Sequence, residues 1–112
     1  MKSDQEILDD FGKTLIDEVF DNQYRFIRNK TEDLAETEGY KNLFSNMTET
    51  QKKEIEHYTY EMLEGALFDF LRIFEENPQF KLYYEKDGQK MLKSEPLTEE
   101  GWIARFSKEL RK

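Results

Sequence analysis

At 112 residues the chain is long enough for one domain with a real core and too short for two ordinary ones. Nine Phe, six Tyr and one Trp argue against intrinsic disorder, and the lack of cysteine excludes a disulfide framework, a thiolate nucleophile and a cysteine-based zinc site. The formal charge of −8 divides into −10 over residues 1–77 and +2 over residues 78–112, which disfavours direct binding of nucleic acid through the first two thirds and favours cationic partners. No apolar run approaches the ~18 residues of a membrane span, and the first residues lack the apolar core of a signal peptide. The expectation is a soluble cytoplasmic protein with no membrane partner.

Ser3-Asp4-Gln5-Glu6 is a capping-box pattern and predicts a helix start. At 100° per residue, Leu8, Phe11, Leu15, Val19 and Phe26 form one apolar stripe, and Ile16, Phe20 and Ile27 widen it to roughly half the circumference. So wide a stripe must meet more than one neighbour. Asp10, Asp17, Asp21, Arg25 and Arg28 fall on the other side and read as a solvated face of partly offset charges.

Residues 31–39 are polar and acidic and read as a connector or frayed helical extension, with Gly39 offering a stop. Tyr40, Leu43, Phe44 and Met47 then recur at helical spacing, enough for a short helix packed as a lid. Asn46 or Thr48 ends it. Thr48-Glu49-Thr50-Gln51 repeats the capping-box pattern and opens a long helix, which Pro78 should stop at Asn77. Within that helix Ile55, Met62, Leu63, Ala66, Leu67, Phe70, Ile73 and Phe74 make the expected core stripe. The opposite face collects Glu54, His57, Glu61, Glu64, Arg72 and Glu75 around Phe68, its lone large apolar residue. Phe68 is either covered by another element or displayed.

After Pro78 the period changes. Residues 80–86, Asp87-Gly88 and residues 89–93 read as a β-hairpin about a two-residue type I′ turn, in a register that sets Tyr84 opposite Met91 and Glu85 opposite Lys90. Ser94-Glu95-Pro96 breaks the strand. Thr98 should cap a last helix, with Leu97 and Trp102 as a hydrophobic staple. Trp102, Ile103, Phe106 and Leu110 form its apolar side, and Lys108, Arg111 and Lys112 suit the negative end of its dipole. The fold class expected is α+β, mainly α: two long packed helices, a short helix, one hairpin and a C-terminal helix in a single domain.

No motif points to chemistry. Glu54-Ile55-Glu56-His57 matches the Glu-x-x-His element of di-iron bundles, but such sites need a second element and the chain has one histidine. The five glycines are scattered, so no phosphate-cradling loop is present. Paired carboxylates are too abundant to signal a glycosidase-type pair. Asp69 stands out only as a carboxylate at the stripe edge near Tyr58, in reach of Arg72. The expectation is a protein that is not an enzyme and takes no cofactor or metal.

What remains is interaction with another protein, one with a basic surface. Carboxylates steer such a partner and aromatic residues anchor it. The residues expected to do so are Phe68 amid Glu61, Glu64 and Glu75, and Tyr83 and Tyr84 beside Glu85. The Tyr83-Tyr84 pair followed by an acidic residue, after a helix ending Phe74-Glu75-Glu76, resembles colicin DNase immunity proteins over those few residues. The chain departs from that family at Glu85, where the family has proline, and in its much longer N-terminal region. An inhibitor or immunity-type role is the first expectation. The alternative is a structural or regulatory subunit, monomer or homodimer, that self-associates or docks on a helical partner through Ile16, Phe20 and Ile27 of the first helix.

Overall fold

The computed structural model describes residues 2–86, 88–92 and 101–111. Ser3 caps α1 (Asp4–Leu15), its hydroxyl accepting from the Glu6 amide at 3.1 Å and donating to the Glu6 carboxylate at 3.2 Å. The helix does not continue as a plain α-helix. Ile16–Phe20 form a π turn, closed by the Asp21 amide donating to the Ile16 carbonyl, and α2 follows over Asp21–Asn29.

A π turn acts as one inserted residue, so everything after it is rotated by about 100°. The half-circumference stripe of the sequence is thereby resolved into two narrower stripes brought into line. Ile16, Phe20 and Tyr24 are buried, whereas Val19 and Phe26, central to the stripe in an unbroken α-helix, are exposed. Ile16 and Phe20 are covered within the chain, which removes the premise for self-association through them.

The same rotation corrects the reading of Asp21. Far from lying on a solvated face, it is buried and accepts from the Ser107 hydroxyl at 2.5 Å and the Lys108 amide at 2.8 Å. Around it, Asp17 pairs with Lys108 at 3.7 Å and Arg28 donates to the Glu109 carbonyl at 2.6 Å. That charged face is where the C-terminal segment docks.

α3 (Thr31–Ala35) realises the helical extension, and Gly39 turns the chain at φ +96°, a conformation glycine adopts without strain. The short helix α4 covers only Lys41–Phe44. It packs on α3, with the Ser45 hydroxyl reaching the Ala35 carbonyl, and leaves Tyr40 and Leu43 exposed. It is therefore not a lid: Phe44 and Met47 are only half-buried, and no residue from 40 to 47 is among those packed against the core.

The capping box at Thr48 and Gln51 is complete in both directions, at 3.1 and 2.9 Å, and opens α5 (Glu49–Glu76). Asn77 leaves helical geometry before Pro78, as expected. The buried face of α5 is a correction. Leu67 and Leu71 are buried and Tyr60, Leu63 and Phe74 pack beside them, while Met62, Ala66, Phe70 and Ile73 are exposed. Two apolar stripes compete on this helix. The one chosen contains Tyr60, whose ring stands edge-on to Phe20 at 5.7 Å and Tyr24 at 6.2 Å.

β1 (Tyr83–Lys86) and β2 (Gln89–Leu92) pair antiparallel with Tyr84 opposite Met91 and Glu85 opposite Lys90, and Gly88 takes φ +81°. The strand starts three residues later than expected, since the Phe80 amide closes a turn onto the Asn77 carbonyl at 2.9 Å. In α6 (Trp102–Phe106) Trp102 and Ile103 are buried. The Ser94–Pro96 break, the Thr98 cap and the Leu97 staple lie outside the described residues. The helix ends at Ser107, so Leu110 belongs to a separate 3-10 turn over Glu109–Arg111, and the Arg111 guanidinium donates to the carbonyls of Ala104 and Arg105. Lys112 too lies outside the described residues.

One core results, made of Ile16, Phe20, Tyr24, Leu67, Leu71, Trp102 and Ile103. The Trp102 ring lies on the bare backbone of Gly12, where a Cβ would sit 2.5 Å from the indole, and its edge meets Phe11 at 5.9 Å. The molecule is mainly helical and elongated, 53 × 28 × 23 Å. Among the described residues no helix is long and apolar enough to cross a membrane.

Candidate protein-binding surface

The turns of α5 from Glu64 to Leu71 run alongside Leu15 and Ile16 at the π turn and Trp102 and Ile103 of α6. Between them lies an open groove of about 470 Å3. Leu15, Ile16, Leu67, Leu71, Trp102 and Ile103 form its apolar walls, and Gly65, Phe68, Glu64 and Asp69 line it from α5. Phe68 is 40 % exposed. It is thus displayed at the groove rather than covered.

Spacing of three, four and seven residues sets Glu61, Glu64, Phe68 and Glu75 on one side of α5. The Tyr60 hydroxyl donates to the Glu64 carboxylate at 3.3 Å, which fixes that carboxylate at the groove edge. Burial, with the neighbouring Glu64 charge second, raises the Tyr60 hydroxyl above its ordinary pKa. Glu61 pairs with His57 at 3.0 Å. Arg72 holds Asp69 at 3.7 Å and Glu76 at 3.3 Å, all three side chains well exposed. The face combines an apolar anchor with carboxylates at its edges, and what it can do chemically is desolvate an apolar side chain next to a cation.

Tyr83, Tyr84 and Glu85 are not part of this groove. The hairpin lies against the first turns of α1, with Leu82, Tyr83 and Tyr84 facing Ile7, Leu8 and Phe11 across a second cavity of about 270 Å3. Tyr83 is exposed and Tyr84 half-buried. The two cavities share no lining residue. The aromatic and acidic residues singled out in the sequence therefore form two separate surfaces.

Leu71 went unassigned in the sequence, although it stands three residues beyond Phe68 and seven beyond Glu64, a spacing that places it beside both. Leu15, Trp102 and Ile103 read as core and also form groove wall, which only the docking of α6 could reveal. Asp69, expected at the edge of a core stripe, stands at the edge of an exposed one. His57 is exposed and engaged with Glu61, and no group of three or more His, Asp or Glu is arranged to hold a metal among the described residues.

No protein-family model, no curated protein and no solved structure compared with the chain matches it.

Proposed function

We propose that the chain is a non-enzymatic, acidic protein-interaction module of the inhibitor or immunity type, which binds a basic protein through the Phe68 groove. One observation carries this reading: a large aromatic side chain stands 40 % exposed at an apolar groove, on a helix side that also bears Glu61, Glu64 and Glu75. Exposed aromatics ringed by charge are the usual anchors of protein interfaces, and opposite charge raises the rate of encounter. The chain's charge of −8 extends that field beyond the groove. Tyr83, Tyr84 and Glu85 on the hairpin form an auxiliary surface for the same partner.

The experiment is capture of a partner by the immobilised chain, followed by titration of the purified partner at increasing salt. A basic partner whose affinity falls as salt rises, and falls by more than about 1 kcal/mol with Phe68→Ala, supports the reading. Binding indifferent to salt, to Phe68→Ala and to Tyr84→Ala overturns it.

A further inference from the structure

We infer that the element of the partner which enters the Phe68 groove is a basic amphipathic helix, and that it crosses α5 at Gly65. The inference rests on the reading of that groove as the site for a basic protein and specifies what the protein inserts. Gly65 is the observation that leads there. Glycine in a helix interior is destabilising, because it loses more backbone freedom on folding than any other residue. Three other glycines have a use within the chain: Gly12 takes the Trp102 ring on its bare backbone, and Gly39 and Gly88 turn the chain at positive φ. Gly65 has none. It stands in the middle of α5, and among the described residues nothing lies within 4 Å of where its Cβ would be. It lines the groove beside Phe68, where a missing side chain lets a second backbone come close.

The walls select a helix over an extended segment. Leu15 and Ile16 come from the N-terminal rod, Leu67 and Leu71 from α5, Trp102 and Ile103 from α6, and the hairpin lies elsewhere, against the first turns of α1. No strand edge among the described residues therefore faces the groove. An extended chain pressed into it would lose water from its backbone amides and carbonyls with no ladder to pair them. A helix brings those groups already bonded, and anchors itself by apolar side chains at spacings of three, four and seven residues. The groove follows α5 from Glu64 to Leu71, about 10 Å, which two turns of an occupant helix match.

Charge sets the composition of that helix. The two charged residues lining the groove, Glu64 and Asp69, are both acidic, and Glu61 and Glu75 continue the carboxylates along the same side of α5. Arg72 reaches Asp69 and Glu76, and the row stays net negative. An occupant with Leu-type anchors toward Leu67, Leu71 and Trp102 and with Lys or Arg on its flanks meets apolar walls and acidic edges together.

Fluorescence anisotropy with labelled model peptides tests this. The probes are an amphipathic helix of Leu and Lys of about 18 residues, the same peptide with a central proline, and a Leu/Glu counterpart. The Leu/Lys peptide should bind saturably below about 100 µM, gain helical circular dichroism on binding and weaken as salt rises. The proline peptide should bind more than about tenfold more weakly, and the Leu/Glu peptide not at all. In the chain, Gly65→Leu places a good helix former in open space, so the fold persists while the crossing point is filled. It leaves every charge in place and should raise the dissociation constant of the Leu/Lys peptide more than about tenfold. Absence of saturable binding, equal binding of the proline or Leu/Glu peptide, or binding to Gly65→Leu as tight as to the original chain overturns the inference. A captured basic partner that is sensitive to Phe68→Ala and indifferent to Gly65→Leu also removes the helix, and leaves the reading of the groove standing.

Discussion

The two long helical rods of this protein handle an excess of apolar side chains in opposite ways. In the N-terminal rod the π turn at Ile16–Phe20 rotates α2 relative to α1, so that Ile16, Phe20 and Tyr24 join a single buried line. In α5 no such turn occurs, and the apolar residues divide between a buried stripe through Leu67 and Leu71 and an open one through Met62 and Ile73. A break in helical register gathers Ile16, Phe20 and Tyr24 into one buried line against α5 and α6, at the expense of Val19 and Phe26, which stay exposed. An unbroken helix with the same surplus keeps two apolar faces, one of them open to solvent.

Substitutions on the two rods probe that contrast. The largest effect belongs to Phe20, fully buried at the rotated register: Phe20→Ala should cost about 3–5 kcal/mol in urea unfolding. On α5, Leu71→Ala should cost about 2–5 kcal/mol, while Phe70→Ala, one residue away but exposed, should stay within about 0.5 kcal/mol. Equal losses at Leu71 and Phe70 would break the assignment of faces.

Asp21→Ala, at the first residue after the π turn, strips the buried acceptor from Ser107 and the Lys108 amide and should cost about 1–3 kcal/mol, with faster proteolysis of residues 101–111. A glycine on each rod gives opposite signs. Gly12→Ala drives a methyl into the Trp102 ring and should destabilise by about 1–3 kcal/mol. Gly65→Ala meets open space in an exposed helical position and should stabilise the monomer by up to about 1 kcal/mol.

The smallest effect is at alkaline pH. Burial raises the hydroxyls of Tyr24 and Tyr60, which join the rods, above their ordinary 10.0. The folded chain holds these protons more tightly than the unfolded one. Their contribution is intact below pH 10 and lost as pH rises through the raised values. Denaturation midpoints should be level between about pH 7 and 9 and decline above 10, and Tyr24→Phe with Tyr60→Phe should flatten that decline.

Much of the fold was legible because its signals are local. The box at Thr48 and Gln51, the stop before Pro78 and the hairpin register about Gly88 each depend on residues within a few positions of one another. Half of the candidate site was legible on the same terms: Glu61, Glu64, Phe68 and Glu75 share a helix side by spacing alone. The other half comes from residues distant in sequence, Leu15 and Ile16 on one side and Trp102 and Ile103 on the other, and no helical period could bring them to Phe68. Periodicity also mistook the stripe of Met62, Phe70 and Ile73 for core, because two stripes of comparable apolar content lie on α5.

By itself, then, the sequence determined where α1 and α5 begin, where α5 stops and how the hairpin pairs, and that α5 has apolar residues to spare. Caps, proline stops and turn glycines act through hydrogen bonds and dihedral limits within a few residues. Which stripe of α5 is buried, that Asp21 turns inward and that Phe68 stands at a groove were decided only in the tertiary structure. The π turn sets the direction in which Phe20 and Tyr24 point, and those two rings pack against the stripe that holds Tyr60. That choice is a difference in packing energy between two faces of one helix, which exists only once a second helix is there to contact it.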